Sequence, residues 1–372
     1  MAEKRLKIAF YSPYLTDHLG GGEKHLLDVA AVCAKAGAQV HICVPQAMSD
    51  ASLDQLRRQL ESTFGIAVAD FTWTRSPLFD AAFSWRKLNW TKQFDVLYFV
   101  TDGSLFFSLA KRNILHVQIP FTQPVSGVIQ RLKLRNWQCI QTNSEFTNSV
   151  IETSWHRKVD QVVYPVVDES FFNPTHKKER VILSVGRFFR QLHSKRQDVL
   201  VSAFSLLRKR TPESEPWQLV LLGSVEDESY FQEVRASAHG LPVTFVTNAT
   251  RRDVHQWFER ATIYWHATGF GQDEAVAPEK VEHFGISTLE AMASGAVPLA
   301  LGKGGQKEIL VGELEDLRWQ TTDELVTKTS ILLRSPEYLA KFQELATRRA
   351  RDFDQSHFEN AVRQLFGWQE GT

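Results

Sequence analysis

Short apolar runs alternate with amphipathic stretches along nearly the whole chain. That alternation predicts βαβ units and parallel sheets. In the first half the predicted strands are 6–11, 39–44, 95–100, 114–119 and 138–143. Between the first two, Leu26, Leu27, Val29, Ala30 and Cys33 fall on one helical side of the segment 23–36, and Gly37 stands where a helix ends. Ser144 is placed to cap a helix running through Phe146 and Val150. The pattern breaks over 164–178, where Pro165, Pro174, His176, Lys177 and Lys178 read as an interdomain linker. It restarts with predicted strands at 181–186, 218–223, 243–247, 263–267 and 297–301, and from 323 to 366 only helices are expected. A chain of 372 residues is long for one core, so two domains are expected, 1–172 and 173–352. Two doubly wound α/β sheets bind ligands at the carboxyl ends of their strands, where helix N-termini present free N–H groups to phosphate. The pattern therefore predicts a nucleotide or phosphate ligand and leaves the chemistry open.

Composition narrows this picture. Forty-three basic residues balance forty-three acidic ones, so no global charge draws the chain to nucleic acid. Cys33, Cys43 and Cys139 are sparse and lie in apolar runs, which reads as buried thiols rather than disulfides or a zinc site. The basic start at Lys4, Arg5 and Lys7 is followed by an apolar run that Tyr11, Ser12 and Pro13 end at once, too short for a secretion signal. No run is long enough to span a membrane. The expected location is cytoplasmic, with peripheral contact at the inner face of a membrane allowed.

Three segments carry candidate chemistry. Gly20-Gly21-Gly22-Glu23 follows the first strand and opens the first helix. It fits either a phosphate-approaching loop or a flexible turn, and matches neither a dinucleotide fingerprint nor a P-loop. Gly186-Arg187 ends the first strand of the second half, and Lys195 is expected to begin the next helix. Two cations there can clamp a diphosphate, or be solvated surface charge. The third segment, Glu282-His283-Phe284-Gly285-Ile286-Ser287-Thr288-Leu289-Glu290, follows a long polar loop over 269–281. Ser287 and Glu290 also fit a helix capping box, a purely structural role for Glu290. Asp352-Phe353-Asp354 has the form of a metal motif, yet lies near the last helix and reads as chance.

Taken together these segments resemble the retaining GT-B glycosyltransferases, specifically glycosyltransferase family four. Asn143-Ser144-Glu145-Phe146, Tyr164-Pro165-Val166-Val167-Asp168, Glu290-Ala291-Met292-Ala293-Ser294-Gly295 and Gly304-Gly305 add to the resemblance in the same order. It implies two Rossmann-like domains facing across a cleft, with the segment 353–372 as a helix returning to the first domain. By the same resemblance Arg187 and Lys195 hold the donor diphosphate and Glu290 binds the ribose hydroxyls. Glu282 lies beside the transferred sugar, and backbone N–H groups of Phe284, Gly285, Ile286, Ser287 and Thr288 face sugar and phosphates. Gly21 and Gly22 let the first domain close over the donor. The segment 273–285 is most similar to mannosyltransferases that extend lipid-linked oligosaccharides. The implied reaction is retaining transfer of a sugar, mannose being the candidate, from a nucleoside-diphosphate sugar to a glycan, lipid-linked or small-molecule hydroxyl. No metal or other cofactor is expected, because preplaced cations and a helix N-terminus can stabilise the departing diphosphate. Related enzymes carry a histidine two residues before the proline that ends the strand 114–119, and this chain has Gln118 there, with His116 two positions earlier. Both face one side of an extended strand. His116 is therefore a candidate catalytic contact, with Gln118 as the alternative sugar ligand and a buried structural histidine as the competing reading. The competing functions are a catalytically silent nucleotide-sugar-binding protein and a nucleotide-sugar epimerase of the same architecture.

Overall fold

The computed structural model describes residues 5–16, 20–80, 84–191 and 194–368. The chain divides into two compact units, residues 1–165 with 358–372, and residues 166–357.

The first unit holds a seven-stranded parallel sheet. Its strands are β1 (Lys7–Tyr11), β2 (Gln39–Pro45), β3 (Thr72–Ser76), β4 (Val96–Val100), β5 (Arg112–Val117), β6 (Cys139–Thr142) and β7 (Gln161–Val162). They lie in the order β3-β2-β1-β4-β5-β6-β7. Strands β1 and β4 are buried almost throughout, as a sheet covered by helices on both faces requires. The order reverses between β1 and β4, the place where such sheets open a crevice. The helix Gly21–Lys35 follows β1 and buries Leu26, Leu27, Val29, Ala30 and Cys33, the side expected from its spacing. Gly37 lies just past that helix at φ +83°, a conformation that favours glycine. Ser144 caps the helix Glu145–Trp155 by accepting from the Thr147 amide. The final helix, Gln355–Phe366, belongs largely to this unit. Phe358 sets its ring against His25, and the carbonyls of Ala361 and Leu365 accept from Gln161 and Arg112.

The second unit repeats the plan with six parallel strands. These are β8 (Glu179–Val185), β9 (Gln218–Leu222), β10 (Val243–Val246), β11 (Ala261–His266), β12 (Val297–Leu301) and β13 (Arg318–Trp319), in the order β10-β9-β8-β11-β12-β13. The reversal falls between β8 and β11. Helices alone follow β13: Thr322–Arg334, Pro336–Ala350 and then the final helix, with one short 3₁₀ turn between the last two.

The unit boundary falls at Pro165/Val166 rather than at 172/173. Residues 166–172 are tied into the second unit. The Val167 amide donates to the Phe353 carbonyl, and Phe171 packs on His255 and Phe258. The strands β3, β7 and β13 were not expected from the sequence; each is at or beside a sheet edge and two are only two residues long. All three cysteines are free and buried. No helix among the described residues is long and apolar enough to cross a membrane.

Candidate active site

In the second unit two of the charged candidates, Lys195 and Glu282, meet beyond the carboxyl ends of β8 and β11. The Glu282 carboxylate accepts from Lys195 Nζ at 2.6 Å and from His266 Nε2 at 2.9 Å, through the same oxygen. Burial works to raise the Glu282 pKa, but the Lys195 charge and the His266 hydrogen bond outweigh it and hold the carboxyl well below its usual range. His266 is itself fully enclosed, and burial lowers its pKa against the pull of Glu282. A neutral imidazole that donates from Nε2 leaves Nδ1 as the acceptor, and Nδ1 is buried without a partner. Glu282 is thus an ionised, oriented acceptor.

Glycines make this convergence possible. A Cβ on Gly186 would lie 2.4 Å from Lys195 Cγ, so the lysine stem crosses the strand end where only hydrogen leaves room. A Cβ on Gly304 or Gly305 would press to 2.1 Å from the Glu282 carbonyl or 2.4 Å from Phe284 Cα. The Gly305 amide donates to the Glu282 carbonyl at 2.9 Å. Gly304-Gly305 therefore supports the loop that aims Glu282.

Lys195 does not begin a helix. It lies in the loop before Gln197–Arg210, and Arg196 takes the capping position at φ +51°, held by Asp198 and the Phe270 carbonyl. Arg187 lies past the end of β8, where its guanidinium pairs with Glu226 at 3.1 Å and rests over the Phe189 ring. Both members of that pair are well exposed, so the contact holds Arg187 weakly and leaves it available to a competing anion.

The capping box at Ser287 is absent. The helix runs Ile286–Ala293, with Gly285 at its N-cap at φ +119°. Ser287 lies inside the first turn and its hydroxyl bonds to Tyr264 Oη at 2.8 Å. The glycine takes the turn that a serine cap needs, and φ +119° is a conformation that residues with a side chain rarely adopt; a Cβ there would also meet Gln306 Nε2 at 2.2 Å. Glu290 sits deeper in the helix than a capping residue, half-buried. The Thr288 amide is used by the Gly285 carbonyl, so of the five amides anticipated over 284–288 it is already committed. Those of Ile286 and Ser287 are first-turn groups that a helix leaves without an internal carbonyl.

In the first unit Gly21 is the exposed first residue of its helix. Glu23 is buried and structural: it accepts from the Gly20 amide and from Ser12 Oγ, both at 3.2 Å. Gly22 lies against Gln118, whose Oε1 would be 1.9 Å from a Cβ there. Gln118 is past the end of β5 and half-buried. His116, the candidate catalytic contact, is fully buried. Its Nδ1 pairs with Gln141 Nε2 at 2.8 Å and its ring stacks on His25 at 4.5 Å. None of its atoms is exposed and its Nε2 is buried without a hydrogen-bond partner, whereas Gln118, two residues on, is half-buried. His266 was missed in the sequence, where it stands inside the apolar run Ile263-Tyr264-Trp265-His266-Ala267. Among the described residues no group of three or more His, Cys, Asp or Glu side chains has metal-binding geometry. Asp352 pairs with Arg349, and Asp354 accepts from the His357 amide at the start of the final helix.

Residues 166–349 match the family described as Glycosyl transferases group 1. The match lies within the second unit. HepE of Anabaena, solved in complex with UDP, superposes with a TM-score of 0.73 over 98% of this chain and 100% of its own at 16% identity. That likeness shows the fold, two parallel-sheet α/β domains of the GT-B type. The chain is 29% identical over 238 residues to a GDP-Man:Man(3)GlcNAc(2)-PP-Dol alpha-1,2-mannosyltransferase of Xenopus tropicalis, covering 59% of this chain and 46% of the relative. It is 26% identical over 232 residues to the lipopolysaccharide core biosynthesis mannosyltransferase LpcC of Rhizobium leguminosarum bv. viciae, covering 59% and 60% respectively. The chain thus spans less than two thirds of the length of either relative.

Proposed function

We propose that this chain is a retaining glycosyltransferase that moves a hexose, with mannose the first candidate, from a nucleoside-diphosphate sugar to a hydroxyl of a lipid-linked glycan. The observation that carries the reading is the Lys195–Glu282–His266 cluster set before the N-terminus of the helix Ile286–Ala293. In the transfer the bond between the anomeric carbon and the phosphate oxygen breaks, and the diphosphate leaves with that electron pair. The acceptor oxygen bonds the anomeric carbon on the same face and its proton passes to a phosphate oxygen. Lys195, Arg187 and the first-turn amides offset the charge growing on the diphosphate. Glu282, held ionised, cannot serve as a general acid near neutral pH; it accepts from a sugar hydroxyl and opposes positive charge at the anomeric carbon. Glu290 accepts from the ribose hydroxyls. The names of the mannosyltransferase relatives support a GDP-mannose donor and a lipid-linked acceptor, and with such an acceptor the proposed reaction runs at a membrane surface, on its cytoplasmic side.

The test is a panel of nucleotide sugars, GDP-mannose first, assayed for released nucleoside diphosphate and for a labelled glycan with and without EDTA. Transfer with unchanged anomeric configuration and no loss in EDTA is expected. Donor binding without release of diphosphate to any acceptor would favour the silent binding protein, and an altered free nucleotide sugar would favour an epimerase.

A further inference from the structure

The Arg187 side chain is held weakly, by an exposed pair with Glu226 and the face of Phe189. Where its guanidinium can reach is therefore set by its backbone. The residues on either side are laced to the end of β9 and the loop after it. The Gly186 amide donates to the Leu222 carbonyl and the Phe188 amide to the Ser224 carbonyl, both at 2.8 Å. The Phe188 carbonyl accepts from the amides of Glu226 and Asp227. Gly223 lies directly against this turn, since a Cβ there would come within 2.1 Å of the Gly186 oxygen. The carbonyls of Gly186 and Arg187 remain to be held.

One side chain takes both. Gln197, the first residue of the helix Gln197–Arg210, is only 2% exposed. Its Nε2 donates to the Gly186 carbonyl at 3.0 Å and to the Arg187 carbonyl at 3.2 Å. An amide nitrogen has two hydrogens, one for each carbonyl. The pair of carbonyls thus fixes which end of the amide faces them, and Oε1 turns to the buried Tyr230, whose hydroxyl lies 3.2 Å away. The same hydroxyl is 3.0 Å from the Asp198 carboxylate, so its single proton is shared with a charged competitor. Burying an amide is unfavourable unless its hydrogen bonds are made, and here they are made to the two peptides that aim Arg187. We propose that Gln197 is a positioning residue for Arg187, fixing the Gly186-Arg187 peptides so that the guanidinium meets the leaving diphosphate; this rests on the reading that Arg187 faces a nucleotide-sugar donor.

The test is transfer kinetics from GDP-mannose for the wild type, Gln197→Met, Arg187→Ala and the double variant, each with a circular-dichroism melt. Methionine keeps the length of the side chain and loses both donors. In Gln197→Met, kcat should fall about tenfold, less than in Arg187→Ala, because a displaced cation forfeits part of its effect. The donor KM should move by no more than about twofold, since the cation is missed most when charge has grown on the diphosphate. A merely structural role would lower the melting temperature and leave kcat of the folded protein unchanged. In the Arg187→Ala background, adding Gln197→Met should lower kcat no further. Wild-type kcat in Gln197→Met, or equal falls in both backgrounds, would overturn the proposal. Should Gln197→Met not fold, Tyr230→Phe replaces it. There a fall of about threefold is expected, the size of one modest hydrogen bond, and it should vanish without Arg187. Wild-type kcat in Tyr230→Phe would then overturn the proposal. Transfer that is intact in the wild type and in the variants sinks this inference alone. No transfer by the wild type from any nucleotide sugar sinks the proposed function and the inference with it.

Discussion

His116 in the first unit and His266 in the second are both fully buried at or beside the last residue of a parallel strand. Their partners separate them. His116 meets the neutral amide of Gln141 and the ring of His25, with Tyr98 bonded to the same Gln141. His266 meets a carboxylate that also takes a lysine. A buried neutral network fixes strands and rings in place, whereas a partly exposed charged cluster stores an oriented field that a ligand can use. Burial of a histidine at a strand end is therefore weak evidence of function until the charge of its partner is known.

The sharpest way to break this contrast is Lys195→Ala. Losing one charge-stabilising contact should lower turnover by two to three orders of magnitude, about 3–4 kcal/mol of transition-state energy. The Glu282 carboxyl, no longer held down by the lysine, should titrate at higher pH, moving the acid limb of the activity profile upward. Steady-state kinetics across pH with a circular-dichroism melt check both. Wild-type turnover with an unmoved acid limb would remove Lys195 from the site. Arg187→Ala should fall in the same direction but less steeply, because Arg187 is exposed and tied only to Glu226.

The first unit should answer to pH through stability instead. Burial, with Lys24 nearby, pushes His25 down to about 3, and burial beside His25 pushes His116 well below the usual histidine range. Both pKa values are lower folded than unfolded. The stabilisation is therefore whole above about pH 6.5, where the unfolded chain begins to take up protons, and is lost as pH falls toward the folded values. For His25 alone the loss between pH 6.5 and 5 is about 2 kcal/mol. Denaturant melts at pH 7.5, 6 and 5 should show the decline, and His25→Gln should flatten it. An equally steep decline in His25→Gln would place the acid sensitivity elsewhere.

The fold was legible because its signals are local and repeated. Buried parallel strands such as Val297–Leu301 read as apolar runs, and the helix Gly21–Lys35 announced its buried side by spacing. What escaped depends on contacts distant in sequence. The edge strand Thr72–Ser76 is polar enough to pass for a loop, since its outer side has no neighbour to demand apolar residues. His266 lies in a run buried on both faces, where no alternation marks which side chain turns toward Glu282 sixteen residues on. Ser287 to Glu290 has the spacing of a capping box, yet the box needs a non-helical first residue and Gly285 holds that position. In the same way nothing in the sequence around Gly22 and Gly186 marks that Gln118 and Lys195 pack against them.

The removal of that capping role sharpens the test of Glu290. Glu290→Gln keeps size and helix propensity, so the melting temperature should barely move. If the carboxylate accepts ribose hydroxyls, the change to a neutral amide should raise the nucleotide Kd about tenfold. An unchanged Kd by titration calorimetry would leave Glu290 without a ligand role.

The smallest effect expected, and the finest test of the first unit, comes from Gly22. The sequence allowed its lack of a side chain to serve a bound donor, while the structure sets it against Gln118. The clashing atom is the far end of a flexible side chain, so Gly22→Ala can be accommodated if Gln118 swings aside. Gly22 lies in the first turn of a helix, where alanine is preferred over glycine by up to about 1 kcal/mol, so the variant should melt no lower than wild type. If Gln118 is the sugar ligand, displacing it should reduce transfer severalfold, and Gln118→Ala should do the same. The double variant then decides between the two accounts. Should Gly22 act only by making room for Gln118, adding Gly22→Ala to Gln118→Ala changes nothing further, and the coupling energy equals the single effect. Should the bare backbone of Gly22 itself approach the donor, the two losses add. Transfer rates of the four proteins, with donor binding measured alongside, separate these outcomes, and full additivity would return Gly22 to the donor and detach it from Gln118.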